Sequence, residues 1–285
     1  MNPPAVAPAT RRIEQARAQE NFPVALRVLP RRRRRDLLAL YRYARHVDDL
    51  GDEPLAPGVD RLAALDEVET ELRALYAGRP VTDRVVRALA PTVAECRLPL
   101  EPLLRLVEAN RVDQHVRRYA TFAQLVDYCT LSANPVGELV LHVFGQAGTA
   151  RLALSDRICT ALQLVEHLQD VAEDHRRGRV YLPAEDLDRF GVTEADLAGP
   201  TADRRLRELI GFEAERARAW LEAGAPLVAD LHGWARLAVG GYLAGGRATL
   251  DALADADHDP LRVTVRPRGR RVFGRWLSAM VRSAG

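Results

Sequence analysis

The chain has 285 residues, 47% of them hydrophobic, a net charge of +2, and only arginine among its 41 basic residues. That length and apolar share suffice for one large core, while the lack of lysine excludes a Schiff-base lysine, a lysine-dependent pyridoxal site and a Walker P-loop. A near-neutral charge gives no general argument for nucleic-acid binding, and no nucleic-acid partner is expected.

Leu, Ala, Arg and Glu dominate and no useful β-branched alternation occurs, so the chain reads as all-α. Residues 1–10 are Pro/Ala-rich with no apolar segment, so neither a signal peptide nor a membrane anchor is expected there. A short helix over 11–20 stops before Asn21-Phe22-Pro23. Arg31 to Arg35 then open a helix over 32–51; such a run is usually a solvated helix start, although its nearness to an acidic stripe would let one arginine reach an anion. Helices follow over 60–77, 82–95 and 101–118, with Asp113 on the last read as an exposed or salt-bridged acid. Thr121 caps a helix to 131, Ser132-Ala133-Asn134-Pro135-Val136-Gly137 interrupts it, and 138–144 resumes. The small residues Ala133, Gly137, Gly145 and Gly148 suit either an apolar pocket wall or tight helix packing. A continuous core helix is expected through 161–174, an acidic connection over 183–200, and long helices over 202–225 and 226–256. The basic segment 261–283 carries Val272, Phe273, Trp276, Leu277, Met280 and Val281 on one side. It reads as a helix docked on the protein's own core, with contact to an anionic membrane surface as the alternative.

Two stripes carry chemistry. Gln163, Glu166, Asp170 and Asp174 step by three, four and four, and Tyr41, Arg45, Asp48 and Asp52 by four, three and four, so each set shares one helix face. Leu162, Val165, Leu168 and Val171 put the first of these helices in the core, where carboxylates are costly unless paired or bound to a cation. If the stripes face each other, carboxylates without thiols or paired histidines suit Mg²⁺. Solvated acidic faces are the plain alternative for either stripe alone. Arg176, Arg177 and Arg179 lie beside Asp174, where a metal-bound diphosphate would need cationic partners, although a plain helix C-terminus also favours arginine. Cys96, Cys129 and Cys159 read as buried free thiols of a reducing compartment, and lone His142 and His167 as hydrogen-bonded core residues.

These residues resemble the squalene/phytoene synthase family of head-to-head isoprenoid synthases. The resemblance runs over about 21–267 and rests on Asp48-Asp49-Leu50-Gly51-Asp52-Glu53, on 163–174 and on Arg179-Val180-Tyr181-Leu182-Pro183. It implies an all-α, single-domain isoprenoid synthase helical bundle around a central apolar cavity, with a flexible segment over 1–20 and a basic amphipathic helix over 268–285. It also implies a cytoplasmic, Mg²⁺-dependent enzyme without a redox cofactor. Carried over by motif, Asp48, Asp52, Glu166, Asp170 and Asp174 would hold metal. Tyr41 and Arg45 would join the aspartates in catalysis, and Arg45, Arg179 and Tyr181 would bind diphosphate. Ala133, Asn134, Val136, Gly137 and Gln163 would line the substrate pocket. The segments 20–25, 132–137 and 162–171 most resemble the hopanoid-pathway branch, in which presqualene diphosphate is ionised and captured by water as hydroxysqualene. Condensation of two farnesyl diphosphates is the alternative within the class, and a non-catalytic membrane-surface scaffold for pathway enzymes the alternative outside it. Two positions depart from many relatives: Glu166 replaces asparagine, and Gln169 replaces the arginine of the carotenoid branches.

Overall fold

A computed structural model describes residues 29–56, 58–262 and 265. The segment expected over 11–20, the break at Asn21-Phe22-Pro23 and the tail 268–285 lie outside them. The described chain runs α1 (Arg31–Asp52), α2 (Arg61–Tyr76), α3 (Arg84–Cys96), α4 (Leu100–Val112), α5 (Phe122–Ser132), α6 (Asn134–Val143), α7 (Thr149–Gln169), α8 (Val171–Arg176), α9 (Ala184–Phe190), a 3-10 turn (Glu194–Ala198), α10 (Arg204–Gly224), α11 (Pro226–Asp230) and α12 (Gly233–Asp255). Their starts follow local chemistry. Asp60, Asp83, Thr121 and Asp203 accept hydrogen bonds from the first-turn amides of α2, α3, α5 and α10, and Pro30 and Pro99 stand immediately before α1 and α4.

The central helix is α7. It packs most extensively against α10, then α6, with α12, α5 and α11 adding to the enclosure. Close approach depends on small residues. A Cβ on Gly224 would lie 2.6 Å from Ile158 Cγ1 and 2.7 Å from the Leu154 carbonyl oxygen, and one on Gly137 would lie 2.4 Å from Ser155 Oγ. Ser155 and Cys159 therefore touch α6 almost backbone to side chain. Leu65, Leu72, Leu89, Leu103, Leu206 and Leu209 are completely buried between the helices.

Several expected elements differ. The helix expected to reach 118 stops at Val112, because Asp113 to His115 turn and the chain then runs extended. That extended piece makes a parallel bridge between Arg118 and Val180, with Val180 N donating to Arg117 O at 3.0 Å and Ala184 N to Tyr119 O at 2.9 Å. The connection expected over 183–200 holds α9 and the 3-10 turn, the latter closed by a reciprocal Thr193–Asp196 capping box. The helix expected over 226–256 is two, divided at Leu231 and His232, both extended. The interruption at 132–137 shrinks to Ala133, since α6 resumes at Asn134 with proline in its first turn, where a missing amide costs nothing.

Candidate active site

One face of α1 is packed and the other open. Leu40, Tyr43 and Val47 are buried, and Tyr43 Oη donates to Leu103 O at 2.8 Å. Tyr41, Arg45, Asp48 and Asp52 keep solvent access along the opposite stripe. Asn110, buried on α4, donates to Asp48 Oδ1 at 3.1 Å and to Leu106 O at 3.1 Å. It reaches Asp48 because residue 51 is glycine: a Cβ there would fall 1.9 Å from Asn110 Oδ1. Although it keeps solvent access, Asp48 is partly dehydrated by the protein packed around it and pushed up to about 6, with the Asn110 bond opposing the rise and Asp52 adding repulsion. Arg45 pairs with Asp49 at 2.7 Å, one position off the stripe.

The second stripe sits where α7 ends. The continuous helix expected through 161–174 breaks at Asp170, whose φ of −103° and ψ of 13° leave the helical region before α8 begins at Val171. Asp174 N still reaches back to Asp170 O at 2.8 Å, so the break turns the chain without separating the two carboxylates. Loss of water raises Asp174 to about 7, Asp170 adds repulsion, and Arg179 opposes both. Glu166 is exposed, and Gln163 and Asp170 are half-buried.

Arg179 joins the two stripes. Its Nη2 stands 2.6 Å from Asp52 Oδ1, and it acts electrostatically on Asp113 and Asp174 as well. Burial works against its charge, but the bond to Asp52 and the fields of Tyr181 and Asp113 hold the guanidinium protonated. Asp113 is not the exposed or salt-bridged acid expected from sequence. It is buried and accepts from Tyr128 Oη at 2.7 Å, with burial raising it to about 6. Tyr181 stacks on His167 at 3.8 Å between centroids and lies 5.9 Å from both Tyr119 and Tyr128. His167 is pushed down to about 3, first by burial and then by Arg179, so its imidazole is neutral. Its Nε2 lies 3.3 Å from Gln163 Nε2, and as a hydrogen-bonded core residue it fits the expectation.

Ala133, Asn134 and Gly137 are buried in helix packing, Asn134 accepting from Thr160 Oγ1 at 3.0 Å, whereas Val136 is 36% exposed. Cys159, Leu162, Gln163, Glu166 and Asp170 form an accessible stripe along α7 despite its enclosure. Three arginines of the run are engaged in structure: Arg32 and Arg35 pair with Glu95 at 3.1 and 2.8 Å, and Arg33 bonds the Val143 carbonyl. All three cysteines are free, but only Cys129 is buried.

Among the described residues no three acidic, histidine or cysteine side chains stand together as a finished metal cage. The donor chemistry nonetheless fits Mg²⁺, which keeps waters and commonly completes its sphere with substrate phosphate. Arg179 bonds Asp52 on one stripe and its charge is felt at Asp174 on the other, where loss of hydration raises the carboxylate. Asn110, Asp113, Tyr119 and Tyr128 stand beside the two stripes although the stripe spacing does not reach them. Leu103, Leu106, Val107, Asn110 and Asp113 share the buried side of α4 and its end, and two polar residues at core spacing were the available signal.

The arrangement is that of the all-α isoprenoid synthases in a single domain. It superposes with a TM-score of 0.78 on squalene synthase HpnC from Alicyclobacillus acidocaldarius, at 40% identity over 88% of this chain and 93% of that one. A dehydrosqualene synthase solved with a ligand gives 0.84 at 24% identity over 95% of each chain, a likeness of fold. The squalene/phytoene synthase family model matches residues 15–275, and the chain belongs to that family of head-to-head prenyl condensation enzymes. Relatives include a phytoene synthase of Arthrospira platensis, 33% identical over 86% of this chain and 82% of its own. A hydroxysqualene synthase of Rhodopseudomonas palustris is 36% identical over 74% of this chain and 71% of its own. No helix among the described residues is long and apolar enough to cross a membrane.

Proposed function

We propose that the cleft ionises presqualene diphosphate and that water captures the cation, giving hydroxysqualene and diphosphate. The observation that carries this reading is Arg179, held 2.6 Å from Asp52 between two acidic walls. A guanidinium already paired to a carboxylate at the mouth of an accessible stripe is poised to exchange that carboxylate for a diphosphate. Asp48, Asp52, Glu166, Asp170 and Asp174 would hold Mg²⁺, which when bound neutralises the departing diphosphate. Arg45, Arg179 and Tyr181 hydrogen-bond the leaving group, and Tyr41 packs beside Arg45 on the same stripe. Ala133, Asn134, Val136, Gly137 and Gln163 belong to the wall that shields the isoprenoid, the three buried ones by setting how closely α6 and α7 approach. Residues 21–267 form the catalytic unit.

Two observations favour water capture. Gln169 is bonded to the Val265 carbonyl, so no guanidinium stands where the carotenoid branches carry arginine. Relatives named hydroxysqualene synthase reach 36% and 34% identity. The second reading is condensation of two farnesyl diphosphates to presqualene diphosphate, squalene or dehydrosqualene, supported by relatives named phytoene synthase at 33 and 34%. Incubating the protein and Mg²⁺ with each diphosphate separately, with and without NADPH, in ¹⁸O-water decides between them. The expected result is labelled alcohol from presqualene diphosphate without NADPH. Unlabelled alcohol, or a hydrocarbon as sole product, would overturn the reading.

A further inference from the structure

Beside the acidic cleft, two buried polar atoms have no hydrogen-bond partner: the Tyr119 hydroxyl and Asp113 Oδ1. Both residues are more than nine-tenths buried, at 4% and 7% exposure. The neighbouring polar groups are already engaged. Tyr128 donates to the other oxygen of Asp113, Arg179 to Asp52, and His167 meets Gln163. Tyr119 is also held in place, its carbonyl accepting from Ala184 N and its ring 5.5 Å from Tyr128 and 5.9 Å from Tyr181. The Tyr119 ring lies 5.5 Å from that of Tyr128, whose hydroxyl bonds Asp113 at 2.7 Å, so Tyr119 and Asp113 share one buried corner. Leaving a hydroxyl and a carboxylate oxygen dry in the same place is costly. An ordered water, which typically makes about three hydrogen bonds, is the group that relieves such a pair.

We propose that Asp113 Oδ1 and the Tyr119 hydroxyl hold a buried water, and that this water is the one that captures the cation. The inference rests on the water-capture reading above. The C–O bond to diphosphate breaks with its electron pair leaving on the diphosphate. The water oxygen forms the new C–O bond, and its proton passes to Asp113 Oδ1 and on to solvent. Tyr119 is a positioning residue: its hydroxyl fixes where the water waits. Burial brings Asp113 to about 6, close enough to neutrality for a proton to be taken and released. Tyr128, held on the second oxygen, keeps the carboxylate oriented with its free oxygen toward the water.

A crystal structure of the wild-type protein tests the site directly, and a pair of variants tests its role. The structure is expected to show a water within hydrogen-bond distance of both atoms. Tyr119→Phe removes an atom that has no protein partner, so the fold is retained. It should release diphosphate from presqualene diphosphate within about twofold of wild type while the alcohol-to-hydrocarbon ratio falls about tenfold. Asp113→Asn, which still accepts from Tyr128, should lower kcat at an unchanged KM. An empty position between the two atoms, or wild-type alcohol with an unaltered ratio in Tyr119→Phe, overturns this inference alone. A wild-type protein that releases diphosphate but makes no alcohol sinks the water-capture reading beneath it, and the capture role with it.

Discussion

At Asp48 folding and chemistry make opposite demands. Loss of hydration raises the carboxylate to about 6, and a single amide from Asn110 steadies it. Removing its charge should therefore relieve the folded state while disabling the cleft. Asp48→Asn and Asp170→Asn are expected to lower turnover about 100-fold, the scale on which a lost electrostatic contact to a leaving group is felt, with Tm unchanged or slightly raised. Near wild-type turnover in excess Mg²⁺ would contradict the two-wall site. Glu166→Asn is expected to alter the Mg²⁺ titration more than the product, because exposed Glu166 lies one turn from Asp170; an identical titration would make Glu166 structural. At this scale the aspartates were legible in sequence because their spacing repeats on two helices. Asp113 and Tyr119 were not. Their surroundings come from a bridge between Arg118 and Val180, far apart in the chain, and helical periodicity carries no trace of such a contact.

The elements that were legible are those whose ends are written locally. Asp60 and Asp83 cap α2 and α3, and Pro99 precedes α4. The break at Asp170 was hidden because every residue from Ala161 to Asp174 suits a helix, so only packing decides where it turns. Between α9 and α10 another buried device is visible. Asp186 and Glu213 are buried together, Arg216 Nη1 lying 2.7 Å from Asp186 and 3.1 Å from Glu213. One guanidinium between two acids leaves Glu213 raised to about 8, chiefly by burial, despite Arg216. With folded Glu213 above its unfolded value, stability is full below about pH 4.5 and is lost as pH climbs to about 8. Glu213→Gln cannot ionise, so its Tm should exceed that of wild type by a few degrees at pH 8.5 and match it at pH 5. A difference independent of pH would show that Glu213 does not hold its proton. For the α7–α10 contact, Gly224→Ala is expected to cost about 1–3 kcal/mol, measured by denaturant midpoint, since the added carbon meets a backbone carbonyl that cannot turn aside.

Over the whole molecule, the Arg179–Asp52 pair spans 127 positions of sequence. Closing a flexible loop of that length costs ~4 kcal/mol, whereas a partly exposed ion pair returns about 1 kcal/mol at most. The pair is therefore a consequence of the helices having packed and not what draws them together. Asp52→Asn should leave Tm within about 2 °C of wild type; a larger fall would show that the pair helps hold α1 against the segment after α8. A contact so cheap to break works as a gauge: it registers that residues 52 and 179 have arrived without contributing to the force that brought them. A fluorophore and quencher on neighbouring exposed positions would then time the assembly of the cleft during refolding. Its signal should come late, because the second half of the site belongs to a stretch of chain that cannot take its place until α7 has found both α6 and α10.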